Sequence, residues 1–281
     1  MNAAEPAPMT VQELLEAARA AGVERQDARW LLGAVLGRPA AWLISHGGEA
    51  VAADGARRGL DGIARLAAGE PLAYVLGEQP FRGLVLEVSP AVLVPRADTG
   101  TLVDWALERM PAGHPVAVAD LGTGSGAVAL ALACERPQAR ITAVDASGTA
   151  LAVARRNGAR LGLSLRWLLS DWFSALAGER FDLIVGNPPY IAEGDPHLPA
   201  LHAEPRQALV SGMDGLDDIR HIIEQAPQHL NAGAWLLLEH GFDQASAVQD
   251  LLRQTGFAQV QSRVDLAGIK RCSGGQWPEV K

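Results

Sequence analysis

An apolar run that ends in a glycine-rich turn constrains this 281-residue chain more than any other feature. Residues 116–121 lead directly into Gly122-Thr123-Gly124-Ser125-Gly126, and a helical segment rich in Ala and Leu follows. Further apolar runs alternate with helical stretches, at residues 141–144, 165–169, 181–185 and 235–238. Such alternation is typical of parallel strands joined by crossover helices. We therefore predict a doubly wound, Rossmann-like α/β sheet from about residue 115 onward.

The first 77 residues show a different pattern. Thr10-Val11-Gln12-Glu13 has the spacing of a capping box before apolar residues at helical intervals, and Gly22 ends that helix. Two more segments with helical spacing follow, around Leu31 and around Ile63. We predict a small helical-bundle domain over residues 1–77. Residues 78–281 are then expected to hold a linking β-hairpin near residues 81–88 and the α/β domain.

Composition narrows the classes of protein. Hydrophobic residues make up 48% and charged residues 20%, as in ordinary globular chains, and no run approaches the roughly 20 apolar residues of a membrane span. The N-terminus lacks the features of a signal peptide, and two cysteines, Cys134 and Cys272, suit a reducing compartment. We expect a cytoplasmic protein without a membrane partner. A net charge of -8 disfavours direct binding of nucleic acid.

The glycine turn predicts a ligand at a helix N-terminus, because glycine lets the backbone approach the ligand closely. Asp145 ends the next apolar run, where a carboxylate can hold two ribose hydroxyls. The same spacing also fits a nicotinamide dinucleotide. Asp120, just before the turn, would repel a pyrophosphate but attract the sulfonium and ammonium groups of S-adenosylmethionine, which favours the latter. After the third run, either Asp171 or Trp172 is expected beside the adenine.

The tetrapeptide Asn187-Pro188-Pro189-Tyr190 follows the fourth apolar run and is the most informative one in the chain. Two prolines stiffen the loop and leave carbonyl oxygens and the Asn187 amide oxygen as fixed acceptors. Such acceptors suit a planar –NH2 group, whose delocalised lone pair makes it a poor nucleophile that needs exact orientation. Tyr190 would pack against the flat group. We expect these residues to form the catalytic site for methyl transfer to a planar nitrogen.

Together these motifs resemble those of the bacterial protein-(glutamine-N5) methyltransferase family, which modifies peptide chain release factors. The resemblance covers nearly the whole chain. Besides the glycine turn and the tetrapeptide, it is carried by Pro71-Leu72-Ala73-Tyr74, Gly77-Glu78, Phe81, Gly83, Val94-Pro95-Arg96, Ser170-Asp171-Trp172-Phe173, Glu204-Pro205, Leu238-Glu239-His240-Gly241 and Asp265-Leu266-Ala267-Gly268 with Arg271.

The resemblance implies S-adenosylmethionine as methyl donor and, as substrate, the glutamine of a Gly-Gly-Gln loop in a release factor. The N-terminal helical domain would help to dock that partner, and we expect the enzyme to be a monomer. Asn187, Pro188, Pro189 and Tyr190 would hold the glutamine. The cofactor contacts implied are Gly122, Thr123, Gly124, Ser125, Gly126, Asp145, Trp172 and Asn187.

Two segments depart from the family pattern, residues 95–100 and the segment before Glu204. Where the family usually reads Pro-Arg-Pro, an acid, Thr and Glu, this chain has Pro95-Arg96-Ala97-Asp98-Thr99-Gly100, so the edge of the substrate pocket is expected to differ.

Two other functions remain open from the sequence. One is a DNA adenine-N6 methyltransferase, since adenine also presents a planar amine, although it would require base flipping and a basic surface. The other is a non-catalytic cofactor-binding module that docks to ribosomal factors. Asp195, His197, His202 and Glu204 match no zinc-ligand spacing, and we predict no metal site.

Overall fold

The computed structural model describes residues 9–279. The chain divides into two compact units, Met1–Gly77 and Glu78–Lys281. Among the described residues, no helix combines the length and the apolar character that crossing a membrane requires.

The first unit is helical. Its helices are α1 Val11–Ala20, α2 Arg25–Leu36, α3 Trp42–Ser45, α4 Ala53–Ala67 and α5 Leu72–Leu76. The capping box forms at α1: the Thr10 hydroxyl accepts from the Glu13 N–H, and the Glu13 carboxylate accepts from the Thr10 N–H over 2.7 Å. Gly62 lets α2 and α4 pack closely, because a Cβ there would lie 2.6 Å from the nearest Leu31 methyl carbon. The sequence predicted the three longer helices and missed α3 and α5.

The second unit opens with a β-hairpin of β1 Glu78–Phe81 and β2 Leu84–Glu87. Its turn is Arg82-Gly83, with φ of 47° and 78°, the left-handed pair that suits the twist of two short antiparallel strands. The Asn157 side chain ties the hairpin to the α/β core: its Oδ1 accepts from Glu87 N–H over 2.6 Å, and its Nδ2 donates to Glu87 O over 2.9 Å.

The core of the second unit is a seven-stranded sheet in the order β5-β4-β3-β6-β7-β9-β8. The first five strands of that order are parallel, and the last two are antiparallel to their neighbours. The strands are β3 Ala117–Leu121, β4 Arg140–Asp145, β5 Arg166–Leu169, β6 Phe181–Gly186, β7 Leu230–Glu239, β8 Ala258–Val264 and β9 Lys270–Gln276. The helices are α6 Gly100–Glu108, α7 Ala127–Glu135, α8 Gly148–Arg160, α9 Asp217–Gln225 and α10 Ala245–Thr255.

Successive strand residues point to opposite faces of the sheet, and each face is covered. Val118 and Leu183 lie in a buried cluster with residues of α6 and α7. Ala119 and Ile184, one position further along the same strands, lie in a second cluster with residues of α9 and α10. The predicted doubly wound α/β sheet with a helical N-terminal part is therefore confirmed.

Candidate active site

Strand register brings the two sequence motifs together. Leu121 on β3 pairs with Gly186 on β6 and with Val144 on β4, so the three parallel strands end at the same level. The glycine turn, the tetrapeptide and Asp145 therefore meet at the carboxyl edge of the sheet, where ligands of open α/β folds bind. A cavity of about 240 Å³ opens there.

The cavity is lined by most of the residues that the sequence selected. Of the expected cofactor contacts, seven line it: Gly122, Thr123, Gly124, Ser125, Asp145, Trp172 and Asn187. Of the expected catalytic residues, Asn187 and Pro189 line it. Among the described residues, Gly126, Pro188 and Tyr190 are not part of its lining.

The glycine turn requires left-handed backbone. Gly122 and Gly124 have φ of 68° and 55°, which side chains with a Cβ rarely adopt. The N–H of Gly124 donates to Asp145 Oδ2 over 2.8 Å, which ties the turn to the end of β4. A Cβ built at Gly124 would meet no atom within 4 Å, so this backbone faces open space. Gly126 is left-handed as well, with φ of 84°, and it also serves packing, because a Cβ there would lie 3.0 Å from Leu130.

Asp120 is a buried acid beneath the turn, with 1% of its surface exposed. Its Oδ2 accepts from the Thr123 hydroxyl over 2.6 Å and from the Ala129 N–H over 3.2 Å. Burial raises the pKa of Asp120 to about 7, an effect that these two hydrogen bonds offset only in part. The carboxyl both holds the turn and contributes to the cavity wall.

Asp145 lies at the end of β4 with both carboxylate oxygens engaged. Oδ2 accepts from the Gly124 N–H and Oδ1 from the Ser147 N–H, each over 2.8 Å. Burial raises the pKa of Asp145, and the two backbone donors act in the opposite direction. Each carboxylate oxygen has a second lone-pair site, so the group can still accept from two hydroxyls of a ligand.

Trp172 forms an aromatic wall of the cavity. Its ring lies 3.3 Å from the position that a Cβ at Gly122 would take, so a larger residue in the turn would displace it. The backbone of Trp172 is left-handed, with φ of 42°, and the Ser170 hydroxyl holds it by donating to Trp172 O over 2.8 Å. Asp171 also lines the cavity. Either Asp171 or Trp172 can therefore contact the adenine of a bound cofactor, as the sequence predicted.

In the tetrapeptide, Asn187 faces the cavity and Tyr190 faces the protein interior. Asn187 Nδ2 donates to the Thr99 hydroxyl over 3.4 Å, and the Tyr190 hydroxyl donates to Glu239 Oε1 over 3.5 Å. Glu239 has 1% of its surface exposed, and burial raises its pKa to about 7. Burial and this neighbouring carboxylate raise the pKa of Tyr190 as well.

The sequence assigned no role to Glu204, which the structure places in a buried ion pair beside the cavity. Only 2% of its side chain is exposed; it pairs with the Arg96 guanidinium and accepts from the Val94 N–H over 3.1 Å. Arg96 and the neighbouring Pro205 both line the cavity. The pair therefore joins two segments of the cavity wall. Both segments, Val94-Pro95-Arg96 and Glu204-Pro205, are among the motifs of the family resemblance. That resemblance was the only sequence signal that pointed to this pair.

Three of the loop residues that match no zinc-ligand spacing, Asp195, His197 and Glu204, make other contacts. The Asp195 carboxylate accepts from the backbone N–H of His197 and contacts its ring, both over 2.8 Å, and Glu204 pairs with Arg96. Within residues 9–279, no three His, Cys, Asp or Glu side chains gather in a way that could hold a metal ion.

Comparison with known proteins gives matches across both units. The family model "Methyltransferase small domain" matches residues 94–262, and the model "PrmC N-terminal domain" matches residues 10–77. A release factor glutamine methyltransferase of Burkholderia pseudomallei is 47% identical, over 99% of this chain and 100% of its own length. One of Pseudomonas aeruginosa is 51% identical, over 90% of this chain and 92% of its own length.

The chain belongs to the release factor glutamine methyltransferase family. The matches extend over both units, and the family is the one that the sequence motifs resemble. A crystal structure of a methyltransferase from Pyrococcus furiosus shares the fold, with a TM-score of 0.53 and 19% identity over 77% of this chain and 98% of that one. In this release factor glutamine methyltransferase family member, the glycine turn and the Asn187 loop share one cavity.

Proposed function

We propose that this protein transfers the methyl group of S-adenosylmethionine to the side-chain amide nitrogen, N5, of the glutamine in the Gly-Gly-Gln loop of peptide chain release factors. The observation that carries the proposal is the single cavity, which is lined by the glycine turn on one side and by Asn187 on the other. Relatives with close to half of their residues identical, over nearly the full chain, carry the release factor glutamine methyltransferase name.

The chemistry of the cavity suits S-adenosylmethionine, which supplies a methyl group on a positively charged sulfonium. Asp145, with acceptor capacity left on both oxygens, would hold the ribose hydroxyls. Trp172 would cover the adenine with its flat ring. Asp145 lies on this wall, and Asp120 adds negative charge in its ionised form; such charge favours a cationic ligand over a pyrophosphate. The backbone of the glycine turn would contact the ligand at Gly122, Thr123, Gly124 and Ser125. Gly126 would shape the turn.

Asn187 would act on the substrate amide. Its Oδ1 and a carbonyl of the Pro188-Pro189 segment would accept from the two N–H groups and orient the nitrogen toward the methyl group. The bound methyl donor would supply an electrophilic methyl carbon, the amide nitrogen held by these two acceptors would take the methyl group, and the N–H proton that the nitrogen loses would pass to water. Positive charge builds on the nitrogen during this step, so both acceptors bind the transition state more tightly than the ground state.

Tyr190 would support the loop from the inside, since it lies outside the cavity lining and donates to Glu239. The helical unit, residues 1–77, would help to dock the release factor. A substrate of this kind implies a cytoplasmic enzyme, and we retain the expectation that it acts as a monomer and binds no nucleic acid directly.

A labelled-transfer experiment tests this proposal. The protein is incubated with methyl-labelled S-adenosylmethionine and, in separate samples, an unmethylated release factor, its loop Gln→Ala variant and double-stranded DNA. The proposal expects label in the unmodified factor alone. Label in DNA would replace it with adenine-N6 methylation, and binding of the factor without label in any sample would favour a non-catalytic docking module.

A further inference from the structure

Trp172 reaches the cavity wall through a strained backbone. Its φ of 42° lies in the left-handed region, which a bulky side chain rarely adopts. The next residue, Phe173, is anchored in the core: 2% of its surface is exposed, and its ring stacks on His229 with the ring centroids 4.5 Å apart. The strained residue is therefore the one whose ring lines the cavity. Such strain persists only where surrounding contacts impose it.

The Ser170 hydroxyl makes the contacts that impose this conformation. Ser170 has 5% of its surface exposed, and its backbone N–H donates to Asp145 O over 3.0 Å, at the end of β4. Its hydroxyl donates to Trp172 O over 2.8 Å and accepts from the Ala175 N–H over 3.0 Å. One hydroxyl therefore closes residues 170–175 into a turn that is fixed to the sheet.

The Ser170 hydroxyl is fully used within this turn. A hydroxyl has one hydrogen and two lone pairs. The hydrogen goes to Trp172 O, and one lone pair receives the Ala175 N–H. The Ser174 hydroxyl, 3.3 Å away, can donate to the other lone pair. Ser170 lines the cavity but has no hydrogen left for a ligand, so its effect on a cofactor must pass through Trp172.

Gly122 gives the Trp172 ring its space. A Cβ at Gly122 would lie 3.3 Å and 3.5 Å from two carbons of the ring, so the ring approaches the glycine turn as closely as a residue without a side chain permits. Gly122 thus admits the ring from one side, and Ser170 fixes the backbone that carries it. The ring is in place before a ligand binds, and such preorganisation raises affinity because binding does not have to order the residue.

We infer that Ser170 is a positioning residue for the cofactor, which holds Trp172 in its left-handed conformation and so keeps the ring as a preformed wall for the adenine. The inference rests on the proposed function, in which Trp172 covers the adenine. Without the hydroxyl, the backbone at Trp172 can relax to an unstrained conformation and carry the ring away from the glycine turn. A bound adenine would then have to restore the strain, and affinity would fall.

The test is a double-variant cycle, read by calorimetric titration of S-adenosylhomocysteine. Ser170→Ala should bind about tenfold more weakly than the unsubstituted enzyme. In a Trp172→Ala background, the same substitution should change the affinity by less than about twofold, because no ring is left to position. Ser170→Thr, which keeps a hydroxyl, should recover most of the affinity. Ser174→Ala, in the same turn, is the matched control and should bind like the unsubstituted enzyme.

Two results overturn the inference: Ser170→Ala binding as tightly as the unsubstituted enzyme, or equal losses with and without the Trp172 ring, which would mark a merely structural role. Should urea unfolding show that Ser170→Ala is not folded, Ser170→Cys, of similar shape but with a weaker donor, replaces it under the same criteria.

The proposed function has its own readouts in this experiment. An unsubstituted enzyme that does not bind S-adenosylhomocysteine contradicts that function whatever the variants do. Trp172→Ala binding as tightly as the unsubstituted enzyme contradicts the adenine contact proposed for Trp172, and the inference with it. Weak binding by Trp172→Ala together with full affinity in Ser170→Ala overturns the inference alone.

Discussion

Leu121 and Gly186 pair in register on the neighbouring parallel strands β3 and β6. Each is the last residue of its strand, so the next residues, Gly122 and Asn187, begin the two loops that line the cavity. Gly186 permits this closeness, because a Cβ there would lie 3.2 Å from the Leu121 carbonyl oxygen. The sheet itself thus sets the distance between the cofactor side and the substrate side of the site.

Replacement of Asn187 by alanine should lower the methylation rate by about 100-fold or more, which is the usual cost of removing one hydrogen-bonding group aimed at developing charge. The affinity for S-adenosylmethionine should change far less, because the role proposed for Asn187 is to bind the transition state more tightly than the ground state. Single-turnover methylation and calorimetric titration of the cofactor measure the two effects. Asn231→Ala, at the opposite end of the sheet, is the matched control. Equal losses of rate and affinity in Asn187→Ala would contradict the role proposed for Asn187 in the transition state.

Replacement of Asp145 by asparagine should weaken cofactor binding by roughly 1.5–3 kcal/mol, the range for hydrogen bonds to a charged group. The variant keeps one acceptor oxygen but loses the second one for the ribose. Asp182→Asn is a suitable control, since Asp182 likewise accepts from a backbone N–H, that of Ala117, over 2.9 Å and lies outside the cavity lining. Cofactor titration by calorimetry should separate the two variants. Equal affinities in both would show that Asp145 is not the ribose ligand.

Asp120 should make stability depend on pH. Its pKa is raised to about 7 in the folded protein, so folding favours the protonated carboxyl, and the wild type loses stability as the pH rises from about 4 through 7. Asparagine does not titrate and can keep the hydrogen bonds from Thr123 and Ala129. The stability of Asp120→Asn relative to wild type should therefore rise by up to about 2.5 kcal/mol between pH 5 and pH 8. Urea unfolding at both values measures this, and a difference that does not change with pH would contradict it.

The Arg96–Glu204 pair should show strong coupling. Arg96→Met leaves a buried carboxylate without its partner and should cost about 3 kcal/mol of unfolding free energy, whereas Glu204→Gln keeps the acceptor for Val94 and should cost about 1 kcal/mol. The double variant should be more stable than the sum of both losses implies. Arg206→Met, which breaks an exposed pair with Glu193, should cost less than about 1 kcal/mol. Additive losses within about 0.5 kcal/mol at Arg96 and Glu204 would refute the coupling.

The parallel strands and the glycine turn could be predicted because their signals are local. A strand buried on both faces reads as an apolar run, and the left-handed positions Gly122 and Gly124 need glycine. The runs matched the strands closely, with β7 as the exception. It starts at Leu230, five residues before the predicted run at Trp235, because Asn231 and Gly233 interrupt the apolar pattern.

Other features had no local signal. β8 and β9 were missed because polar residues such as Gln259, Gln261 and Ser273 obscure the alternation, and the sheet order follows from long-range packing. Contacts between distant segments are equally hidden: Arg96 and Glu204 lie 108 residues apart in the chain, and Asn187 and Thr99 lie 88 apart. The tetrapeptide could be named from the sequence, but only the structure shows that Tyr190 faces Glu239.

The most direct test of the central claim is to locate the methyl group on the product. An unmethylated release factor is incubated with the enzyme and S-adenosylmethionine, digested, and sequenced by tandem mass spectrometry. The account predicts a single methyl group on the side-chain nitrogen of the Gly-Gly-Gln glutamine. A methyl group on any other residue, or a factor that stays unmethylated while S-adenosylmethionine is consumed on another acceptor, would contradict it.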